Sequence, residues 1–250
     1  MNQVWPIILL ICLSVNVKAL ESQVNITTGQ WPPYLDQAQQ DQGCVAKVIR
    51  DVFALENIKV RFLFMPWERA YQEGMKEAYI GSAYWYYSEQ RSQDYHYTEH
   101  PLTEETARFY HHKDLPFTYT SYADLKPFRL LLNHGLTYPD ALLNAIKTLD
   151  IKTSYATYTS KNVALILRNR ADIMIMDEKS ALSYQQKLPP SDAELLVAQE
   201  VPAFIQKGYL LINKHHSEYV KVYNEGLSKL LSDPNYVQQY RARCSRVFED

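Results

Sequence analysis

The sequence predicts an α/β protein built as two lobes, each a central, mostly parallel sheet flanked by helices. Three observations lead to this. Strand-period and helix-period apolar patterns alternate after residue 20, the alternation restarts after residue 107, and a final strand pattern beyond residue 205 gives way to helices. The lobes are therefore expected at 20–107 together with 206–250, and at 108–205.

Val24, Ile26 and Thr28 alternate with polar residues as in a half-buried strand, and Trp31-Pro32-Pro33-Tyr34 stops it in a rigid loop. Val45, Ile49, Val52 and Phe53 recur at helical spacing, with Lys47, Arg50 and Asp51 on the other face. A second strand follows through Ile58, Val60, Phe62 and Phe64, and Pro66 opens a helix through Ala70 and Met75. In the next unit Arg129 to Leu132 reads as a strand, and Pro139 begins a helix carrying Leu142, Ala145, Ile146 and Leu149. Ile151 to Thr159 is expected to be extended, and Ser160 to cap a helix through Val163, Ile166 and Leu167. Ala171 to Met176 is apolar enough for a strand buried on both faces, leaving Asp177 at its carboxyl end. Gly208 to Ile212 gives a last strand, and the tail is helical through Tyr219, Tyr223, Leu227 and Leu230 with a break near Asp233-Pro234.

At 250 residues the chain is long enough to bury one large core or two modest ones. Hydrophobic residues at 46% and charged residues at 22% exclude a disordered, collagen-like or polytopic membrane protein. With 26 basic against 28 acidic residues, composition announces no broad basic face, and nucleic acid is not an expected partner. Twenty Tyr stand beside only 7 Gly, which supplies amphipathic rings and disfavours a glycine-cradled nucleotide site.

Ile7 to Val15 is a nearly unbroken apolar run followed by Val17-Lys18-Ala19, so residues 1–19 read as a secretory signal peptide and a periplasmic location is expected. Its removal leaves two cysteines, Cys44 and Cys244, in an oxidising compartment. A disulfide joining the first helix to the last is expected, two buried free thiols being the alternative.

Ligands of open α/β sheets sit outside the carboxyl ends of strands. That selects Trp31 and Tyr34, Trp67, Tyr84 to Arg91, His134 to Thr137, and Asp177. The set offers aromatic walls, one guanidinium and one carboxylate, the complement of a zwitterion: Arg grips a carboxylate with two parallel hydrogen bonds, and Asp accepts from an ammonium.

On these residues the chain resembles the bacterial extracellular solute-binding proteins of family 3, periplasmic receptors for polar amino acids, over essentially its whole mature length. Thr28-Gly29-Gln30-Trp31-Pro32-Pro33-Tyr34 is similar to the family's first strand and aromatic loop, with Trp31 at the ligand-stacking position. Ser88-Glu89-Gln90-Arg91 resembles the Thr-x-x-Arg segment whose arginine holds the ligand carboxylate. Gly135-Leu136-Thr137 resembles the turn that completes that site from the second lobe, and Arg170-Ala171-Asp172 to Asp177 the strand whose aspartate receives the amino group. Met65-Pro66-Trp67-Glu68-Arg69-Ala70 is similar to a Pro-Trp-x-Arg-Ala segment of one branch. Tyr84 and Tyr86 replace small site residues, Ile80-Gly81 the usual Asp-Gly, and Leu136 a hydroxyl, which points to a divergent ligand. The resemblance implies the type II periplasmic-binding-protein fold and ligand binding by Trp31, Trp67, Tyr84, Tyr86, Arg91, Thr137 and Asp177.

Each position also has a plainer role open to it. Asp177 or Thr137 would serve as a helix cap, Arg91 as a surface charge, and Trp31 and Trp67 as core fillers, while Arg69 is spaced to pair with Glu73. The adjacent histidines, and His96 with His100, lack ligand spacing, so no metal or other cofactor is expected. No nucleophile elbow or Walker loop occurs. The expected function is non-enzymatic: a monomer captures a small polar, amino acid-like solute between its lobes and delivers it to the membrane permease of an ABC transporter. The alternatives are a periplasmic dehydratase of the cyclohexadienyl or arogenate type, with Glu68 and Glu89 as candidate acids by position, or a soluble sensing subunit.

Overall fold

The computed structural model describes residue 20 and residues 22–244, and the expected leader at 1–19 lies outside them. The first stretch runs β1 (Gln23–Thr28), α1 (Cys44–Ala54), β2 (Lys59–Phe64), α2 (Trp67–Gly74), β3 (Gly81–Tyr86), α3 (Glu89–Asp94), β4 (Tyr95–Tyr97) and β5 (Thr103–His112). It continues with β6 (Arg129–Asn133), α4 (Asp140–Thr148), β7 (Lys152–Ala156), α5 (Thr159–Leu167), β8 (Ile173–Asp177), α6 (Glu178–Gln185), α7 (Pro190–Ala193) and β9 (Leu196–Ala198). The chain closes with β10 (Phe204–Asn213), α8 (Glu218–Leu231) and α9 (Pro234–Arg243).

The strands form one curled sheet in the order β2-β1-β3-β10-β5-β8-β6-β7, with β4 added to β10 and β9 to β5. Two parallel groups, β2-β1-β3 and β8-β6-β7, follow from the βαβ order and lie at its ends. Between them the long strands β5 and β10 pair antiparallel, Thr103–Ala107 against Phe204–Gly208. The two parallel groups are joined into one continuous sheet because β5 and β10 hydrogen-bond to each other as well as to their own groups.

The apolar clusters divide the same way. One draws on residues 24 to 102 and 210 to 244, with α1, whose buried face carries Val45, Val48, Ile49, Val52 and Phe53, packed on β2 and α8. Two others use residues 107 to 203 and lie on opposite faces of β8, Ile173 and Ile175 in one and Met174 and Met176 in the other. That strand is buried on both faces, as its unbroken apolar run requires. Leu136 packs against clusters of both halves.

The Cys44–Cys244 disulfide is formed, with its Cα atoms 5.7 Å apart. It closes a loop of sequence separation 200, worth about 5 kcal/mol in the chain-entropy account.

Several local expectations shift. Helix α5 starts one residue before Ser160, with Tyr158 at its N-cap position and no side-chain cap. Tertiary contacts decide this: Thr159 accepts from Asn133 at 3.2 Å, and Asn162 donates back to Asn133 at 2.7 Å. Glu73 pairs with Lys76 at 2.8 Å instead of with Arg69. The strand Phe204–Asn213 begins earlier than its apolar portion, since β5 supplies it with a ladder partner.

Candidate functional site

An aromatic wall forms at the carboxyl ends of β1 and β3. Trp31, Trp67 and Tyr84 are buried, and Tyr86 is half-buried. Their rings meet in two runs, Trp31 on Trp67 at 6.5 Å with Trp67 on Trp85 at 5.1 Å, and Tyr34 on Tyr84 at 6.0 Å with Tyr84 on Tyr86 at 6.1 Å. Two glycines make this approach possible. A Cβ on Gly208 would stand 1.8 Å from the Tyr84 ring. Gly135, at φ +75, turns the second half onto Trp67 and Glu68. Trp31, Trp67, Tyr84, Tyr86, Leu136 and Thr137 line a cavity of about 20 Å³, room for a single water. A solute entering this wall must move rings or part the halves.

Arg91 stands beside the wall. Ser88 caps α3 by accepting from the Arg91 backbone N–H at 3.2 Å, which orients the side chain inward. Its guanidinium donates to the Thr137 hydroxyl of the other half and, at 3.4 Å, to the Tyr86 carbonyl. It lies 4.7 Å from the Trp85 ring centre and 5.5 Å from that of Tyr71. Burial pulls its pKa down, against the neighbouring phenols, which raise it. Thr137 is thus an acceptor for Arg91, while α4 starts at Asp140 with Pro139 at its N-cap position and no side-chain cap. An open cavity of about 610 Å³ adjoins Arg91, Thr137 and Tyr138.

Asp177, 2% exposed, ends β8 on the far side of the wall. Its Oδ1 caps α6 by accepting from the Ser180 N–H at 2.9 Å and takes the Tyr34 hydroxyl, from the other half, at 3.0 Å. Burial raises its carboxyl above the ordinary aspartate range, outweighing these hydrogen bonds. The plainer capping role and a place at the meeting of the halves therefore coincide in one side chain.

Glu105 is the residue that sequence reasoning missed. It is 1% exposed on β5, accepts from the Tyr86 hydroxyl, and accepts from Thr103 at 3.0 Å. Burial, then the Asp177 charge, push its carboxyl well above the ordinary glutamate range. The Trp31 indole nitrogen favours its charged form by proximity yet reaches no hydrogen-bond geometry. A signal was present: Thr103, Glu105, Ala107 and Phe109 alternate onto one buried face.

The structure thus gathers Trp31, Trp67, Tyr84, Tyr86 and Thr137 around one cavity and attaches Arg91 to its rim. Asp177 lies beyond, connected through Glu105: Tyr86 spans the two sides, its carbonyl meeting Arg91 and its hydroxyl Glu105. At the outer edge Lys187 reaches Asp36 at 3.4 Å, a further contact between the halves. Among the described residues no group of three His, Cys, Asp or Glu is placed to hold a metal, and no helix is long and apolar enough to cross a membrane.

No family model matches the chain, and no curated protein matches it in sequence. Solved structures do match. An ancestral arginine-binding protein bound to arginine has a TM-score of 0.78 at 16% identity, covering 91% of this chain and 100% of that one. The fold is that of the periplasmic binding proteins. A histidine kinase sensor domain with similarity to periplasmic binding proteins gives 0.75 at 16% identity, covering 92% and 99%. An ancestral amino acid-binding protein, a precursor of cyclohexadienyl dehydratase, gives 0.72 at 16% identity, covering 90% and 96%. At such identities the likeness is one of fold, and the chemistry must be argued from the site.

Proposed function

We propose that this chain is a periplasmic solute-binding protein of the family 3 type that closes over a small, amino acid-like ligand. One lobe comprises 20–107 and 206–250 and the other 108–205; residues 1–19 direct secretion, and the loaded monomer docks on an ABC-type permease. Arg91 and Thr137 hold the ligand carboxylate, Asp177 its amino group, and Trp31, Trp67, Tyr84 and Tyr86 exclude water around both. The observation that carries this reading is that polar partners from the two halves already meet, Arg91 with Thr137 and Tyr34 with Asp177. A ligand that replaces those contacts from both sides at once shifts the equilibrium toward closure. A neighbour of the same fold holding arginine supports an amino acid as the ligand class. The dehydratase alternative has less behind it, since Glu68 and Glu89 are exposed in the first turns of α2 and α3.

A thermal-shift screen of amino acids should give a concentration-dependent rise in melting temperature. In calorimetric titration of the compound found, Arg91→Ala should weaken binding by about 10- to 100-fold, the cost of a carboxylate left unpaired out of water. Unchanged affinity would overturn the assignment of Arg91.

A further inference from the structure

The charge count of the site says more about the ligand, given the receptor reading above. Asp177 pairs in register with Ala107 of β5, and Glu105 lies two residues from Ala107, so both carboxyls emerge on one face. Both are buried, and the Asp177 charge reaches Glu105. Hydroxyls of Tyr34, Thr103 and Tyr86 and the Ser180 N–H occupy part of their oxygens. Asp177 Oδ2 has no partner, and the Tyr84 hydroxyl and the Trp31 indole nitrogen are likewise buried and unpaired. Buried polar atoms are nearly always satisfied, so three orphans around one wall mark a place for ligand atoms.

The chain brings little positive charge of its own to this spot. Lys179 feels the Asp177 charge but gives its ammonium to the Cys244 carbonyl at 2.8 Å, and Arg108 pairs with Glu178. A ligand carboxylate neutralises Arg91 and an α-ammonium neutralises Asp177, which leaves Glu105 as a second buried acid that ionises only where a further cation faces it. We propose that the ligand carries a net positive charge, and that Glu105 meets its second cationic nitrogen and so selects a cationic solute over a neutral zwitterion. The N–H groups of that ligand satisfy Asp177 Oδ2 and the Glu105 oxygens, and any proton held on the two carboxyls passes to solvent as the cation enters.

The test is calorimetric titration of the mature chain with two pairs of near-isosteres, L-arginine against L-citrulline and L-lysine against L-norleucine. At least one cation should bind at least about 10-fold more tightly than its uncharged partner, the scale of a charge-assisted hydrogen bond. Comparison of Tris with phosphate buffer should reveal proton release on binding of that cation. Glu105→Gln, which keeps the volume, should bring the cation's preference over its isostere down to within about 2-fold and lessen the proton release. Equal binding of cation and isostere, tighter binding of the isostere, or a preference that survives Glu105→Gln overturns the assignment of Glu105 and leaves the receptor reading standing. Absence of binding by all four overturns the proposal, and if no amino acid in the wider thermal screen binds, the receptor reading falls with it. The buffer comparison needs no variant, so the proposal stays decidable even if the Glu105→Gln substitution prevents folding.

Discussion

The two sides that Tyr86 connects handle charge in opposite ways. On one, the Arg91 guanidinium faces an open cavity, donates to neutral oxygens and rests on the rings of Trp85 and Tyr71. On the other, two carboxyls are shut from water with hydroxyls and one backbone amide as partners. A delocalised cation is weakly hydrated and settles on aromatic faces at small cost, whereas a carboxylate in the same surroundings prefers to keep its proton. One side is therefore permanently charged, and the other changes its charge with conditions.

The largest effect should come from disturbing the wall itself. Gly208→Val drives side-chain atoms into the Tyr84 ring from β10 and should cost about 2 to 4 kcal/mol in urea unfolding. A variant as stable as the parent would mean that Tyr84 yields and the two sides are not held apart. A smaller effect separates them by pH. Both carboxyls are held above their unfolded range, so between the ordinary carboxylate range and their raised values the folded chain binds more protons than the unfolded one, and stability falls as pH rises. His111, whose pKa burial lowers, contributes with the opposite sign, so the comparison to make is between parent and variant. From about pH 5 to about pH 8 the melting temperature of ligand-free Glu105→Gln should fall less than that of the parent, and parallel curves would place Glu105 in water. The smallest effect is expected on the Arg91 side, where Thr137→Val should cost about 0.5 to 1.5 kcal/mol, with the same value at both pH extremes. A pH-dependent loss there would merge the two sides into one electrostatic unit.

How much of this was legible in the sequence follows from the kind of signal each residue leaves. The α1 face and the β8 run are periodic, and periodicity is local, so both were readable. The grouping of the aromatic wall was readable because residues near the carboxyl ends of neighbouring strands come together, and Trp31, Trp67, Tyr84 and Tyr86 line one cavity. Glu105 was hidden by its neighbours: within Thr103-Glu104-Glu105-Thr106 nothing but the strand phase distinguishes the buried acid from the exposed one. The pairing of β5 with β10 joins segments about a hundred residues apart, and no local pattern encodes it. Ser160 looked like a cap and was overruled by Asn133, a contact likewise made only in three dimensions.

Under the receptor function proposed above, the ribbon of Thr103–Ala107 against Phe204–Gly208 would also govern how the molecule opens. A two-stranded ladder flexes easily out of its plane and stiffly within it, so the passage between halves behaves as a door on one pin, with a single angle as its coordinate. Every pair of atoms facing across the gap must then separate in step, and a distance recorded between any two labels, one on each leaf, reports the whole excursion.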